Sequence, residues 1–320
     1  MGQRLAMAHL FSSGLFFGQA AWHGLGTTLP ADSDARYSIE ESIRLSGLDW
    51  RVETRPLFLG NGQQVHGHNA VVRADTSSVL GVVSDRYRPL QNRDHFEWFR
   101  PFLESREVAF ETCGALKSDA LVWVLAKINR PDADIVDGDR VAKYLLLSSS
   151  HDGSAATSVG FCPIRVVCWN TLSAALASNA SKLLRVRHTQ SQREALAAVR
   201  ETVNLVDQTF EATAAQYRKL AQTGITYGEL RQYVRLVLEL PENEKAWSGR
   251  ARNTLNDIVD LAIRGRGNDG RTVWSAYNGV THYITHVYGR NADSRLRANW
   301  YGAGRAMNDR AFNLALQLAS

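Results

Sequence analysis

The stretch VAFETCGALKSDALVWVLAKI, Val108 to Ile128, decides the fold. Val108 to Leu116 and Ala120 to Ile128 read as two strands joined across Lys117-Ser118-Asp119, and so short a connection makes the strands antiparallel neighbours. The second strand is apolar on both faces, which predicts burial inside a sheet. Upstream, Trp50, Val52 and Thr54 alternate with Arg51, Glu53 and Arg55 in a strand over Trp50 to Leu59. Gly60-Asn61-Gly62 turns the chain, and further strands follow at Val65 to Ala74 and Val79 to Ser84. Ser38 caps a helix through Leu45, with Glu41 completing a capping box and Gly47 stopping it. Asn92 is placed to cap a second helix running to Phe102.

Downstream, Asn129 to Arg140 reads as a polar loop, and Tyr144 to Leu147 opens another hairpin over Asp152-Gly153, a pair suited to positive φ. Asn170 or Thr171 then caps a short helix ending near Ser178. The order helix, three strands, helix, four strands predicts an α+β fold, a mainly antiparallel twisted sheet with helices packed on one side. From Ser191 the period changes. Leu196, Val199, Val203, Val206, Phe210, Thr213, Tyr217 and Leu220 recur at intervals of three and four, an amphipathic helix that packs either on its own domain or against another subunit. Helical patterns continue at Tyr227 to Leu240, Arg252 to Arg264, Val273 to His286 and Ala303 to Leu318. The expected organisation is an N-terminal arm over 1–37, an α+β core domain over 38–188 and a helical C-terminal region over 189–320.

Composition is that of a soluble globular chain: 320 residues, 44% hydrophobic and 22% charged. No stretch approaches the roughly 20 apolar residues of a membrane span, so no membrane partner is expected. The run Leu10 to Phe17 is broken by Ser12, Ser13 and Gly14, which argues against a secretory signal. Ala6 stands where a myristoylation motif wants Ser or Thr. Cys113, Cys162 and Cys168 form an odd set that argues against a disulfide framework and for a reducing cytoplasm. Net charge is +5, unevenly spread. Eight arginines between Arg264 and Arg310 face only Asp269, Asp293 and Asp309, and Lys182, Arg185, Arg187 and Arg193 form a second acid-free cluster. Such clustering is the electrostatic footprint of a nucleic-acid binder, although a solvated basic face has the same look.

Polar side chains concentrate in Tyr144 to Leu172. Ser148, Ser149, Ser150, His151, Ser154, Thr157 and Ser158 surround the Asp152-Gly153 turn, and Arg165 adds a planar fork that suits phosphate. The plain alternative is a surface hairpin whose small polar residues merely suit a turn. Cys162, Cys168 and His151 lack the spacing of a zinc site, so no metal is expected. Cys168, His151 and Asn170 are the residue types of a thiol hydrolase, but Cys168 lies in the apolar run Ile164 to Trp169, where a buried inert thiol is the commoner finding. Asp132, Asp134, Asp137 and Asp139 read as a solvated acidic loop. Gly265 to Gly270, GRGNDG, lacks the Lys and Ser/Thr of a phosphate-binding loop, so no nucleotide cofactor is expected. Trp274, Tyr277, Tyr283, Tyr288, Trp300 and Tyr301 are interleaved with arginines, as stacking on single strands requires, while helical period assigns most of them to a core.

The elements SGLFFGQAAWHGLGT, HDGSAATSVGFCPIRVVCWNTL, TVWSAYNGVTHYITH and RLRANWYGAGRAMNDRAFNLAL together resemble the phage- and plasmid-borne family catalogued as domain of unknown function 932, over nearly the whole chain. That resemblance implies kinship and no established chemistry. The element order is also similar, at the level of fold, to single-strand annealing proteins of the RecT, Redβ and Erf type, which implies rings or filaments that hold DNA without cofactors. The expected function is therefore ATP-independent binding and annealing of single-stranded DNA in phage or plasmid recombination by a cytoplasmic homo-oligomer. Lys143, Ser149, His151, Arg165, Lys182, Arg185 and Arg187 are the expected contacts. The alternatives are a nucleic-acid-processing hydrolase or nuclease using His151 with Asp152, and an interaction protein aimed at a host factor.

Overall fold

The computed structural model describes residues 11–17, 27–29, 37–166, 170–171, 184–186 and 192–320. In chain order these form β1 (Phe11–Phe17), β2 (Thr27–Leu29), α1 (Ile39–Leu45), β3 (Val52–Phe58), β4 (Gln64–Arg73), β5 (Val79–Ser84), α2 (Asn92–Glu97) and α3 (Arg100–Glu104). Next come β6 (Val108–Leu116), β7 (Leu121–Ile128), β8 (Ala133–Val136), β9 (Asp139–Ser150), β10 (Thr157–Arg165), β11 (Asn170–Thr171) and β12 (Leu184–Val186). The remainder is helical: α4 (Gln192–Gln222), α5 (Tyr227–Val237), α6 (Gly249–Arg264), α7 (Val273–His282), α8 (Ala292–Tyr301) and α9 (Ala303–Leu318), with a π-helical segment Tyr283–Val287 continuing α7.

The large sheet runs β11-β10-β9-β7-β6-β1-β2, with β12 on β10 and β8 on β9, and β3-β4-β5 is a separate antiparallel meander. Apart from the parallel pair β1–β2, the registers seen are antiparallel. The fold is therefore α+β with a helical C-terminal region, as the element order predicts. Ser38 and Glu41 form the expected capping box on α1, Oγ accepting from the Glu41 N–H and the carboxylate accepting from the Ser38 N–H. β7 is buried along nearly all its length.

Several elements differ from the sequence reading, each for a local reason. Part of the expected arm is sheet, since β1 pairs with β6 with Leu15 opposite Cys113. The acidic loop contains β8, folded back on β9 with Ala133 opposite Val141. The helix expected from Asn92 to Phe102 breaks into α2 and α3, because Pro101 lacks an N–H and its ring crowds the carbonyl four residues earlier. The N-cap of α2 is Gln91. Asn170 and Thr171 are strand residues, and the short helix expected beyond them lies outside the described residues.

The chain clusters into two compact units, one of residues 1–127, 145–160 and 183–202 and one of 128–144, 161–182 and 203–320. In the first, Phe96 and Phe99 pack edge-on against Phe110 at ring distances of 5.4 and 5.9 Å, seating the short helices on β6. In the second, Tyr217, Trp274, Tyr277 and Phe312 form a continuous aromatic core. The α4 stripe from Val199 to Leu220 is buried within the single chain, so it braces its own fold. Among the described residues no helix is long and apolar enough to cross a membrane.

Candidate functional site

In the first unit, the connection from β9 to β10 is a bend over residues 151–156 in which Gly153 alone has positive φ. His151 is buried, its backbone N–H donating to the Ala120 carbonyl at 2.7 Å. Asn92 donates its amide hydrogens to the Leu48 and Trp50 carbonyls, so its Oδ1 is left as acceptor, and His151 Nε2 at 2.9 Å carries the hydrogen. The Trp50 ring lies edge-on to the imidazole at 5.4 Å. Asp152 turns the other way and pairs with Lys117. Burial pushes the Asp152 carboxyl up, but the Lys117 ammonium and the Ser154 N–H outweigh it and hold the group below its ordinary value. His151 and Asp152 are therefore neighbours in sequence with separate partners, and they do not form the acid–base dyad of the alternative reading.

The same end of this unit carries a strained turn. Lys117, Ser118 and Asp119 all adopt left-handed φ, at 56°, 50° and 70°. Each such residue costs about 1 kcal/mol or more and persists only when its surroundings hold it. Lys117 is held by Asp152 and Asp119 by Arg73 Nη1 at 2.5 Å, while Tyr87 Oη donates to the Ser150 carbonyl at 3.0 Å. Burial, with Asp152 adding to it, pushes the Tyr87 hydroxyl up to about 12.

In the second unit, Arg165 is fully buried and does not reach solvent as a phosphate fork would. Nε and Nη2 donate to Asp139 at 2.7 and 2.6 Å, Nη1 donates to Asn268 Oδ1 and the Arg266 carbonyl, and Nη2 also reaches the Gly267 carbonyl. Trp274 Nε1 donates to Asp139 Oδ2 at 2.7 Å. All five guanidinium hydrogens are thus committed, and they fasten the glycine-rich loop 265–270 to the sheet. Asp139, read from sequence as part of a solvated loop, is the buried acid of this clamp. Lys143 is buried as well, its ammonium 4.4 Å from the Phe210 ring centre.

Ser149 is buried and bonded to Thr157 at 2.8 Å, and Ser148 is bonded to Ser158 at 3.1 Å, so these hydroxyls tie β9 to β10. Arg185 lies on β12; Lys182, Arg187 and Cys168 lie outside the described residues. Burial pushes the thiols of Cys113 and Cys162 up to about 12, which makes them inert. Among the described residues no group of three or more His, Cys, Asp and Glu is arranged to hold a metal ion.

Exposed charge lies elsewhere. Between Gly249 and Trp300 eight arginines face four aspartates, with no lysine or glutamate. Arg250, Arg252, Arg264, Arg266, Arg271, Arg290 and Arg297 are exposed, whereas Trp274, Tyr277 and Trp300 are core. The β3–β4 hairpin is exposed too: none of residues 53–69 is buried. Sequence alternation marks its strands but not this exposure, because the alternation of Val52 and Thr54 with Glu53 and Arg55 does not say which part of the strand is covered. Phe58 and Leu59 beside Gly60-Asn61-Gly62 were the available signal.

No curated protein and no solved structure matches the chain. The family model described as Domain of unknown function (DUF932) matches residues 79–300, a span that holds the His151 bend, the Arg165 clamp and the arginine-rich helices. With more than half its length so matched, the chain belongs to the DUF932 family.

Proposed function

We propose that the protein binds single-stranded DNA without nucleotide hydrolysis and promotes the annealing of complementary strands, acting as an oligomer in phage or plasmid recombination. The observation that carries this reading is the arginine content of α6, α7 and α8 with their connections: seven exposed guanidinium groups and a twofold excess over acids. Among the described residues Arg266, Arg290 and Arg297 have no ion-pair partner, which leaves them open to phosphate. α6 and α7 run antiparallel, since Gly279 abuts Ala262 and Tyr283 meets Thr254. Arg264, Arg266 and Arg271 therefore gather at one end of the pair and Arg250 and Arg290 at the other, about 24 Å apart by helical rise. That spacing suits a backbone tracked along its phosphates and not one read at a single base.

The test is a salt series with a labelled oligonucleotide, together with an annealing assay on complementary strands in the absence of ATP. Affinity should fall linearly on a log–log plot with a slope of about −0.7 per phosphate contacted, and annealing should exceed the spontaneous rate. Absence of binding at low salt, or an affinity indifferent to salt, overturns the proposal.

A further inference from the structure

The β3–β4 hairpin has features that sheet packing does not use. Its tip is an ordered structure: the Leu59 N–H donates to the Gln63 carbonyl at 2.8 Å, the Gly62 N–H to the Leu59 carbonyl at 2.8 Å, and the Gln63 N–H to Asn61 Oδ1 at 3.0 Å. On this closed turn Phe58 is 61% exposed and Leu59 53% exposed, although strand residues of this size are ordinarily covered.

Register adds a second feature. Pro56 pairs with Asn69 and Leu57 with Val65, so His66, Gly67 and His68 oppose no residue of β3. The three form a wide bulge, possible because Gly67 adopts φ +79° with open space around it, and fixed because its carbonyl accepts from the Asp85 N–H at 3.1 Å. Both imidazoles are exposed. Bulges of this kind re-aim side chains, and here two exposed imidazoles follow within four residues of Gln64, the strand partner of the exposed Phe58.

Charge decides the occupant. Arg51 just before β3, Arg55 on β3, and Arg86 and Arg88 on the segment after β5 are exposed, against Glu53 and Asp85. Arg55 is taken by Glu53, and Arg88 donates to the Asp85 and Tyr87 carbonyls, while Arg51 and Arg86 have no ion-pair partner among the described residues. An apolar ring face, two imidazoles and the unpaired guanidinium group of Arg86, which follows the Asp85 N–H that meets the Gly67 carbonyl, together match a chain that alternates flat bases with phosphates.

We infer that the tip of the β3–β4 hairpin is a base-stacking contact for single-stranded nucleic acid, with Phe58 under a base and His66 and His68 donating to the flanking backbone. The inference rests on the nucleic-acid reading above and assigns that function a contact in the first compact unit. Because these side chains touch solvent, their replacement leaves the core intact, which melting curves would verify.

The experiment measures binding of a fluorescein-labelled oligodeoxythymidine to the wild type, Phe58→Ala, Phe58→Tyr and the double variant His66→Ala/His68→Ala, and maps photo-cross-links from an iodouracil-substituted oligonucleotide. Phe58→Ala should weaken binding by about tenfold, within the range measured for loss of one stacked base, Phe58→Tyr should retain affinity, and cross-links should fall within residues 57–68. If the wild type binds while both alanine variants bind equally well and cross-links map elsewhere, the hairpin contact is wrong and the nucleic-acid reading stands. If the wild type does not bind, both fall. If Phe58→Ala lowers the assembly mass and leaves the affinity unchanged, the tip is a contact between copies of the chain and the inference is overturned.

Discussion

Arg165 and Asp139 form a two-pronged ion pair, Nε to Oδ1 at 2.7 Å and Nη2 to Oδ2 at 2.6 Å, and both residues are buried. A buried pair is worth little against a well-packed apolar substitute, but removing one partner strands the other charge at about 3–5 kcal/mol. Arg165→Met should therefore lower stability by about that amount, and the double variant Arg165→Met/Asp139→Leu by less than the two singles combined. Urea denaturation of the four proteins checks this. Additive losses would show that the two groups act separately.

Asn92 and His151 should behave as a coupled pair. With the Asn92 amide donors fixed on backbone carbonyls, loss of the imidazole leaves a buried oxygen acceptor unsatisfied, a cost of about 1–3 kcal/mol. His151→Ala and Asn92→Ala should each destabilise the fold, and a double-mutant cycle should return a coupling energy of about 1 kcal/mol or more. The reading of His151 as a structural residue fails if His151→Ala leaves stability unchanged.

Gly81 on β5 has no space for a side chain. A Cβ built there would stand 2.5 Å from the Asp152 Cα, a backbone atom that cannot swing aside as a side chain would. Gly81→Ala should push the 151–156 bend away from β5 and cost about 1–3 kcal/mol, as overpacking does. It should also weaken the Lys117–Asp152 pair, so amide hydrogen exchange around Ser118 and Ser154 should accelerate. Unchanged exchange there would show that the two segments do not rely on each other.

Much of the fold was legible because it is local. The Ser38 cap, the strand alternation of β3 and the three–four spacing of α4 are each written within a few residues of one another. What escaped depends on distant partners. β1 looks like an interrupted apolar run until β6 lies beside it, and β8 looks like a loop until Arg140 and Val141 fold back on Asp134 and Ala133. The polar cluster after Tyr144 is legible in the sequence as a concentration of side chains, but its orientation is not. Ser149, His151 and Arg165 point into the structure because Thr157, Asn92 and Asp139 meet them there, and each of those partners lies between 8 and 59 residues away in sequence. Residue type alone cannot distinguish a phosphate fork from a buried clamp.

Glu111 on β6 sets the expected pH response. Burial raises its carboxyl to about 7 from 4.5, with Lys127 pulling the other way. Between those values the folded chain holds a proton at Glu111 that the unfolded chain has released, so stability must fall as pH rises through this window and remain lowered above it. Glu111→Gln keeps the shape and removes the titration, so its stability should be flatter between pH 5 and 8, exceeding that of the wild type at the upper end. Lys127→Met removes the charge that favours the carboxylate, so the fall in that background should extend to higher pH and be larger in total. Chemical denaturation of the three proteins at pH 5, 6, 7 and 8 decides the matter: parallel curves for wild type and Glu111→Gln would mean that Glu111 ionises in the folded chain as it does in water.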